Sequence, residues 1–218
     1  HVRSRRQRQM CIRDRSQGGL DSVGDLVDNF IDSEAMEVCL QRFKALPGGT
    51  DMVEQRYPPF QPDISALGKL PEGTLGHAYA GMISRLHYDA DFFRPRDTST
   101  EALWLTQRIA STHDLHHVIA GFNTEPAGES GVLAITATQI GFPAYVLLNI
   151  LANFRAFRFQ PKQQEVISQS IAFGSRIGLE AAPLVLQRWE EGWDKPLSQW
   201  REDLGVKPVE HERFGAIY

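Results

Sequence analysis

His113-Asp114-Leu115-His116-His117 and, beyond a turn, Glu129 are the residues whose types and spacing could do chemistry in this chain. His113 and His117 stand four apart, about 40° from each other around a helix axis, so both imidazoles can reach one ion. Asp114 lies to the side, either as a direct ligand or as an acceptor for an imidazole N–H. Glu129 opens the following helix and can close the site across the pair. Two nitrogens with one or two oxygens suit a single divalent cation, zinc first and also manganese, iron or cobalt. Magnesium fits less well because it prefers oxygen. Three or four protein ligands leave a position open for water or substrate, as catalytic rather than structural zinc does. His113, Asp114, His117 and Glu129 are therefore the candidate metal-ligating and catalytic residues. His116 points away from the face shared by His113 and His117 and is not counted as a ligand. No motif for an organic cofactor is present.

The elements that must position these side chains are helices. Thr98-Ser99-Thr100-Glu101 reads as a capping box that opens a helix running to Gly121. Leu103, Thr106, Ala110, His113 and His117 share one face of it. Leu105, Ile109, Val118 and Ile119 supply apolar flanks, which sets the histidines near the core. Thr124-Glu125-Pro126 opens the next helix. From Ser130 to Phe154 there is no charge, a length that could span a bilayer. Thr136, Thr138, Gln139, Asn149, Asn153 and the Gly141/Pro143 pair favour instead a kinked, buried helix, or one lining a lipid pocket.

Ahead of this pair the pattern predicts helices at 20–31 and 34–46, one turn at 51–54, a proline-rich loop at 57–73, and a helix from Thr74 to about Phe93. After it come a long helical stretch at 162–192, interrupted near Pro183, and a short helix at 197–204. No strand alternation stands out. The expectation is an all-α fold: a single-domain multi-helix bundle over 16–218, with a helix-turn-helix metal site and an apolar lipid-binding groove. Gly174, Gly178 and Ala182 offer low side-chain bulk for that groove, although small residues at this spacing more often mean close helix packing. Phe154-Arg155-Ala156-Phe157-Arg158-Phe159 alternates aromatic and basic groups, a composition suited to a membrane surface.

The chain has 218 residues, 42% hydrophobic and 23% charged, ordinary values for one soluble domain. Residues 1–15 hold six arginines against Asp14, so the rest is more acidic than the formal net charge of −4. An acidic body without a basic stripe argues against nucleic acid as a partner. Cys11 and Cys39 form neither a disulfide framework nor a metal pair. Residues 1–15 are expected to be a non-native or disordered tail.

His-Asp-x-x-His, eleven residues and then Glu resembles the signature of the Coq-four family of ubiquinone (coenzyme Q) biosynthesis proteins. Pro71-Glu72-Gly73-Thr74-Leu75-Gly76 ahead of Tyr79, and Trp189-Glu190-Glu191-Gly192-Trp193-Asp194-Lys195-Pro196, are similar to further segments of that family. The resemblance implies a peripheral membrane protein, on the cytoplasmic face of a bacterial inner membrane or the matrix side of the mitochondrial one. Its ligand would be a polyprenylated hydroxybenzoate or quinone intermediate. Its partners would be the membrane surface, other ubiquinone biosynthesis proteins and a second copy of itself. The implied activity is metal-dependent oxidative decarboxylation at ring carbon C1; the alternative is a non-catalytic lipid-binding scaffold. His77, Tyr79 and Arg108 are possible neighbours of the site. An HD-type phosphohydrolase built on His87 and Asp194 explains neither His117 nor Glu129, and a di-iron bundle lacks ligands.

Overall fold

The computed structural model describes residues 26–58, 60–86 and 97–218. Helix α1 (Glu34–Ala45) begins at Ser33, whose hydroxyl accepts from the Met36 N–H, and Glu34 and Glu37 complement the helix dipole. The short α2 (Gly49–Glu54) and α3 (Ile64–Leu67) follow, then α4 (Leu75–Leu86), α5 (Glu101–Ala120), α6 (Pro126–Ile140), α7 (Pro143–Phe159) and α8 (Pro161–Glu180). Two 3-10 turns, Leu184–Leu186 and Trp189–Glu191, lead to α9 (Leu197–Leu204). Among the described residues only two isolated bridges occur, Thr74 with Pro196 and Phe122 with Gly215, and the fold is all-α as the pattern predicts. Half of the helix expected at 20–31 (20–25), and the stretch 87–93 of the one expected from Thr74, lie outside the described residues.

Several boundaries differ for local reasons. The cap of α5 is Thr100, whose Oγ1 accepts from the Leu103 N–H at 3.2 Å, two residues beyond the expected Thr98. Helix α2 starts from Gly48 in the left-handed region, φ +85°, and not from Asp51. The loop at 57–73 contains α3, capped by Asp63. The uncharged segment is two helices instead of one kinked helix. Gly141, at φ +72°, ends α6, and Pro143 occupies the first turn of α7, where its missing N–H costs nothing. Nor is α7 buried: Ile150, Phe154 and Phe157 are 60%, 62% and 69% exposed. No described helix is long and apolar enough to cross a membrane. Helix α8 ends at Glu180, ahead of Pro183, because Ala181 turns extended.

The expected groove at Gly174 and Gly178 is filled. Helix α8 lies so close to α6 that a Cβ on Gly174 would run into the Gly131 carbonyl, and one on Gly178 would stand 2.8 Å from the Ile135 carbonyl oxygen. The two glycines permit helix contact and leave no slot between them and α6. Ala182 is exposed past the end of α8, with its N–H donating to the Leu204 carbonyl at 2.9 Å.

Helix α5 supplies both halves of the core. Trp104, Leu105 and Ile109 pack with Phe43, Met52 and Phe142; Leu115, Val118 and Ile119 pack with Tyr79, Phe122 and Trp189. His113 falls on α5 between these two groups. Arg108, buried on the same helix, forms a two-pronged ion pair with Glu190, donates to the Gln187 carbonyl at 2.8 Å and lies 5.0 Å from the Tyr57 ring centre. A buried guanidinium needs such partners. They fasten the Trp189–Glu191 turn to α5.

Candidate metal centre

Three candidate ligand residues close into a triangle. His113 Nε2 stands 3.1 Å from Glu129 Oε2, His117 Nε2 3.4 Å from Glu129 Oε1, and the two Nε2 atoms 3.2 Å from each other. Two ligands on a tetrahedral ion with bonds of about 2.0–2.1 Å stand roughly 3.3 Å apart, so the spacing fits one small cation. His117 is fully buried, His113 keeps 15% side-chain exposure and Glu129 39%, so the triangle opens to solvent on the carboxylate side.

The turn between α5 and α6 makes this meeting possible. Gly121, at φ +75°, reverses the chain, and its N–H and that of Phe122 both donate to the His117 carbonyl. Gly128 lets the first turn of α6 press onto the linker, since a Cβ there would run into the Asn123 carbonyl. The carbonyls at the end of α5, orphaned in any helix, are taken up by the C-terminal region. Arg201 donates to the Val118 and Ile119 carbonyls, Val209 N–H to Ala120, and Ala216 N–H to Gly121. The Phe122 carbonyl accepts twice, from the Tyr218 hydroxyl at 2.8 Å and from His117 Nδ1 at 3.4 Å. A carbonyl can only accept, so the His117 proton sits on Nδ1 and the Nε2 lone pair faces the triangle, the tautomer that binds a metal.

The charges agree with this arrangement. Burial works against protonation of His113, yet the hydrogen bond and charge of Glu129, helped by Asp114, raise its pKa above the usual value. Burial would raise Glu129 as well, but hydrogen bonds from both imidazoles hold its carboxyl well below the ordinary range. Asp114 is buried beside the triangle and is not one of its corners. Burial raises its carboxyl pKa, and the two imidazoles offset this only in part.

The remaining sequence candidates lie elsewhere. His116 is a core histidine, with Nδ1 3.4 Å from Thr136 Oγ1, its ring on Trp189, and its pKa pushed down to about 3 chiefly by burial. Tyr79 stacks on Trp193, His77 meets the Leu70 carbonyl through Nδ1, and Arg108 is held by Glu190. His87 lies outside the described residues, and Asp194 is exposed. Two residues that the spacing does not reveal stand at the site. Tyr145 packs edge-on to His113, ring centres 5.6 Å apart, and Tyr218 backs His117 through the Phe122 carbonyl. Pro143, at the start of α7, is the only local signal near Tyr145. Tyr218 carries none.

The sequence and the fold have counterparts. The sequence profile of the family described as "Coenzyme Q (ubiquinone) biosynthesis protein Coq4" matches residues 30–210. A COQ4 homolog, described as mitochondrial, from Aedes aegypti is 30% identical over 148 residues, covering 66% of this chain and 53% of its own. The counterpart from Rattus norvegicus is 34% identical over 151 residues, covering 67% and 55%. The chain thus spans about half the length of these curated relatives. A crystal structure of a Nostoc punctiforme protein, provisionally assigned to ubiquinone biosynthesis, superposes with a TM-score of 0.80 at 30% identity, covering 89% of this chain and 92% of that one. With the profile matched across nearly all the described helices, the chain belongs to the Coq4 family.

Proposed function

We propose that this chain acts in ubiquinone biosynthesis as a metal-dependent enzyme that removes the ring carboxylate of a polyprenylated hydroxybenzoate and leaves a hydroxyl in its place. The convergence of His113, His117 and Glu129 within 4.8 Å carries this reading. Two imidazoles and one carboxylate, open on one side, are the ligand pattern of a catalytic rather than a structural ion. When bound, a divalent ion, zinc or alternatively manganese, iron, cobalt or magnesium, would supply Lewis-acid polarisation of a carboxylate oxygen. The overall change breaks the ring–carboxyl bond, releases carbon dioxide, and takes one oxygen from dioxygen. The second oxygen leaves as water with two electrons and two protons from an external donor.

The protein's own groups have definable parts in this. His113 and His117 offer neutral nitrogens, and the Phe122 carbonyl keeps the His117 proton on the far side of its ring. Glu129 brings a carboxylate that is ionised at neutral pH. Asp114, beside the triangle, steadies the His113 imidazole by its charge. The burial of His117 limits the water that can reach the ligand nitrogens.

The prenyl tail needs an apolar surface, and α7 offers one: Ile150, Phe154 and Phe157 exposed, with Arg155 and Arg158 next to the two phenylalanines. This supports peripheral attachment to an anionic membrane, the inner mitochondrial membrane on its matrix side or the cytoplasmic face of a bacterial one. The same face favours the second reading, a lipid-binding scaffold that docks other ubiquinone biosynthesis proteins or a second copy. One experiment separates them. Purified protein, reconstituted anaerobically with single metals, is given a carboxylated prenyl-phenol in air and followed by mass spectrometry. Conversion by the wild type that is lost in a folded Glu129→Ala variant is expected. No conversion with any metal leaves the scaffold.

A further inference from the structure

Tyr145 brings a side chain of α7 to the metal triangle. It keeps 7% of its surface exposed, and its ring meets His113 edge-on at 5.6 Å. The ring is held from behind by Phe142, centres 4.9 Å apart and nearly perpendicular, and Phe142 is itself buried. Pro143 in the first turn of α7 fixes the backbone that carries both. The phenol is therefore preorganised, yet its hydroxyl has no hydrogen-bond partner among the described residues. The oxygen itself is not fully buried, so solvent reaches it and a ligand can take the same place. The approach on the α5 side is also clear. The residue one turn before His113 is Ala110, small and exposed. His113 and Glu129 are the two partly open members of the triangle.

We propose that the Tyr145 hydroxyl is the substrate-binding donor of this site, giving its hydrogen bond to a carboxylate oxygen of an aromatic acid seated against His113 and Glu129. This rests on the reading of the triangle as a metal centre that takes a hydroxybenzoate-type ligand. The donor makes the site selective for a ligand with a second oxygen beside the one the cation holds. It comes from α7, the helix whose outer face is apolar, so head-group recognition and the tail-bearing surface belong to one rigid element.

The test uses the full chain loaded with cobalt, wild type beside Tyr145→Phe, which keeps the ring and its packing. Metal content and cobalt affinity should be equal in the two proteins. Binding of 4-hydroxybenzoate, followed by calorimetry and by the cobalt absorption bands, should weaken about 10-fold or more in the variant, the scale of one lost hydrogen bond to a charged acceptor. Equal affinity in Tyr145→Phe overturns the assignment while leaving the metal reading intact. So does a wild type that holds cobalt and ignores the acid. A wild type that retains neither cobalt nor acid overturns both. Should the variant not fold, 3-fluorotyrosine substituted into the wild type gives a second readout: one fluorine resonance must move when the acid is added, and no movement overturns the assignment.

Discussion

Helices α5 and α7 are made of similar lengths of chain and are used in opposite ways. Fifteen of the twenty residues of α5 are buried, including Arg108, Ser111, Thr112, Asp114, His116 and His117. Only five of the seventeen in α7 are, and large apolar side chains occupy its outer face. Part of this buried polarity is satisfied: Ser111 and Thr112 bond back to the Gln107 and Arg108 carbonyls, and Arg108 reaches Glu190, whereas Thr106 Oγ1 and His113 Nδ1 have no hydrogen-bond partner among the described residues. Polarity inside and apolarity outside invert the usual distribution. We propose chemistry for the sheltered one and lipid contact for the exposed one.

Breaking the triangle is the severest perturbation of α5 and its partner. Glu129→Ala should lower zinc affinity by more than the roughly 100-fold that loss of an outer partner can cost, with circular dichroism unchanged, as read by competition with a chelator. Arg108→Ala should cost about 3–5 kcal/mol in denaturant unfolding, because it strands the Glu190 carboxylate in a partly buried place and empties the stack on Tyr57. A loss under 1 kcal/mol would mean that α5 does not depend on its polar partners.

The pH dependence sharpens the same contrast. In the metal-free protein the raised pKa of His113 gives stability that is complete below its usual 6.5 and is lost as pH rises through the folded value. The lowered pKa of Glu129 gives stability present above its usual 4.5 and lost as pH falls through the folded value. The pair therefore helps the empty fold most between about pH 4.5 and 6.5. A cation must displace the His113 proton, so the rise in Tm on adding zinc should be larger at pH 8 than at pH 6. An equal rise at both would remove His113 from the ligand set.

Smaller effects are expected further out. Tyr218→Phe removes one of two donors to the Phe122 carbonyl, and zinc affinity should fall about 10-fold, the lower end for an outer-shell loss. On α7, Phe154→Ser with Phe157→Ser should change unfolding free energy by only about 0.5 kcal/mol, since both side chains already face water. Their sedimentation with anionic vesicles should nevertheless drop. Unchanged sedimentation would leave the exposed face of α7 without its proposed occupant.

His113, His117 and Glu129 were legible because a helix turns four-residue spacing into proximity and because Gly121 announces the reversal that follows. Thr100, Gly141 and α3 show the limit of local signals: a cap or a break has several candidate residues within two positions, and packing selects among them. Gly174 and Gly178 show a different limit. A stripe of small residues promises close approach, but whether helix or lipid approaches is decided by α6, which lies some forty residues away in sequence. Tyr145 and Tyr218 were illegible for the same reason, since each meets the centre only through the tertiary course of α7 and of the C-terminal region.

The doubly used carbonyl of Phe122 has a practical corollary. A protease that nibbles past Phe214 would strip His117 of part of its backing without touching any residue of the triangle. Material clipped in this way would look poor in zinc and be misjudged as a dead catalyst, so intact mass should be recorded alongside every metal assay.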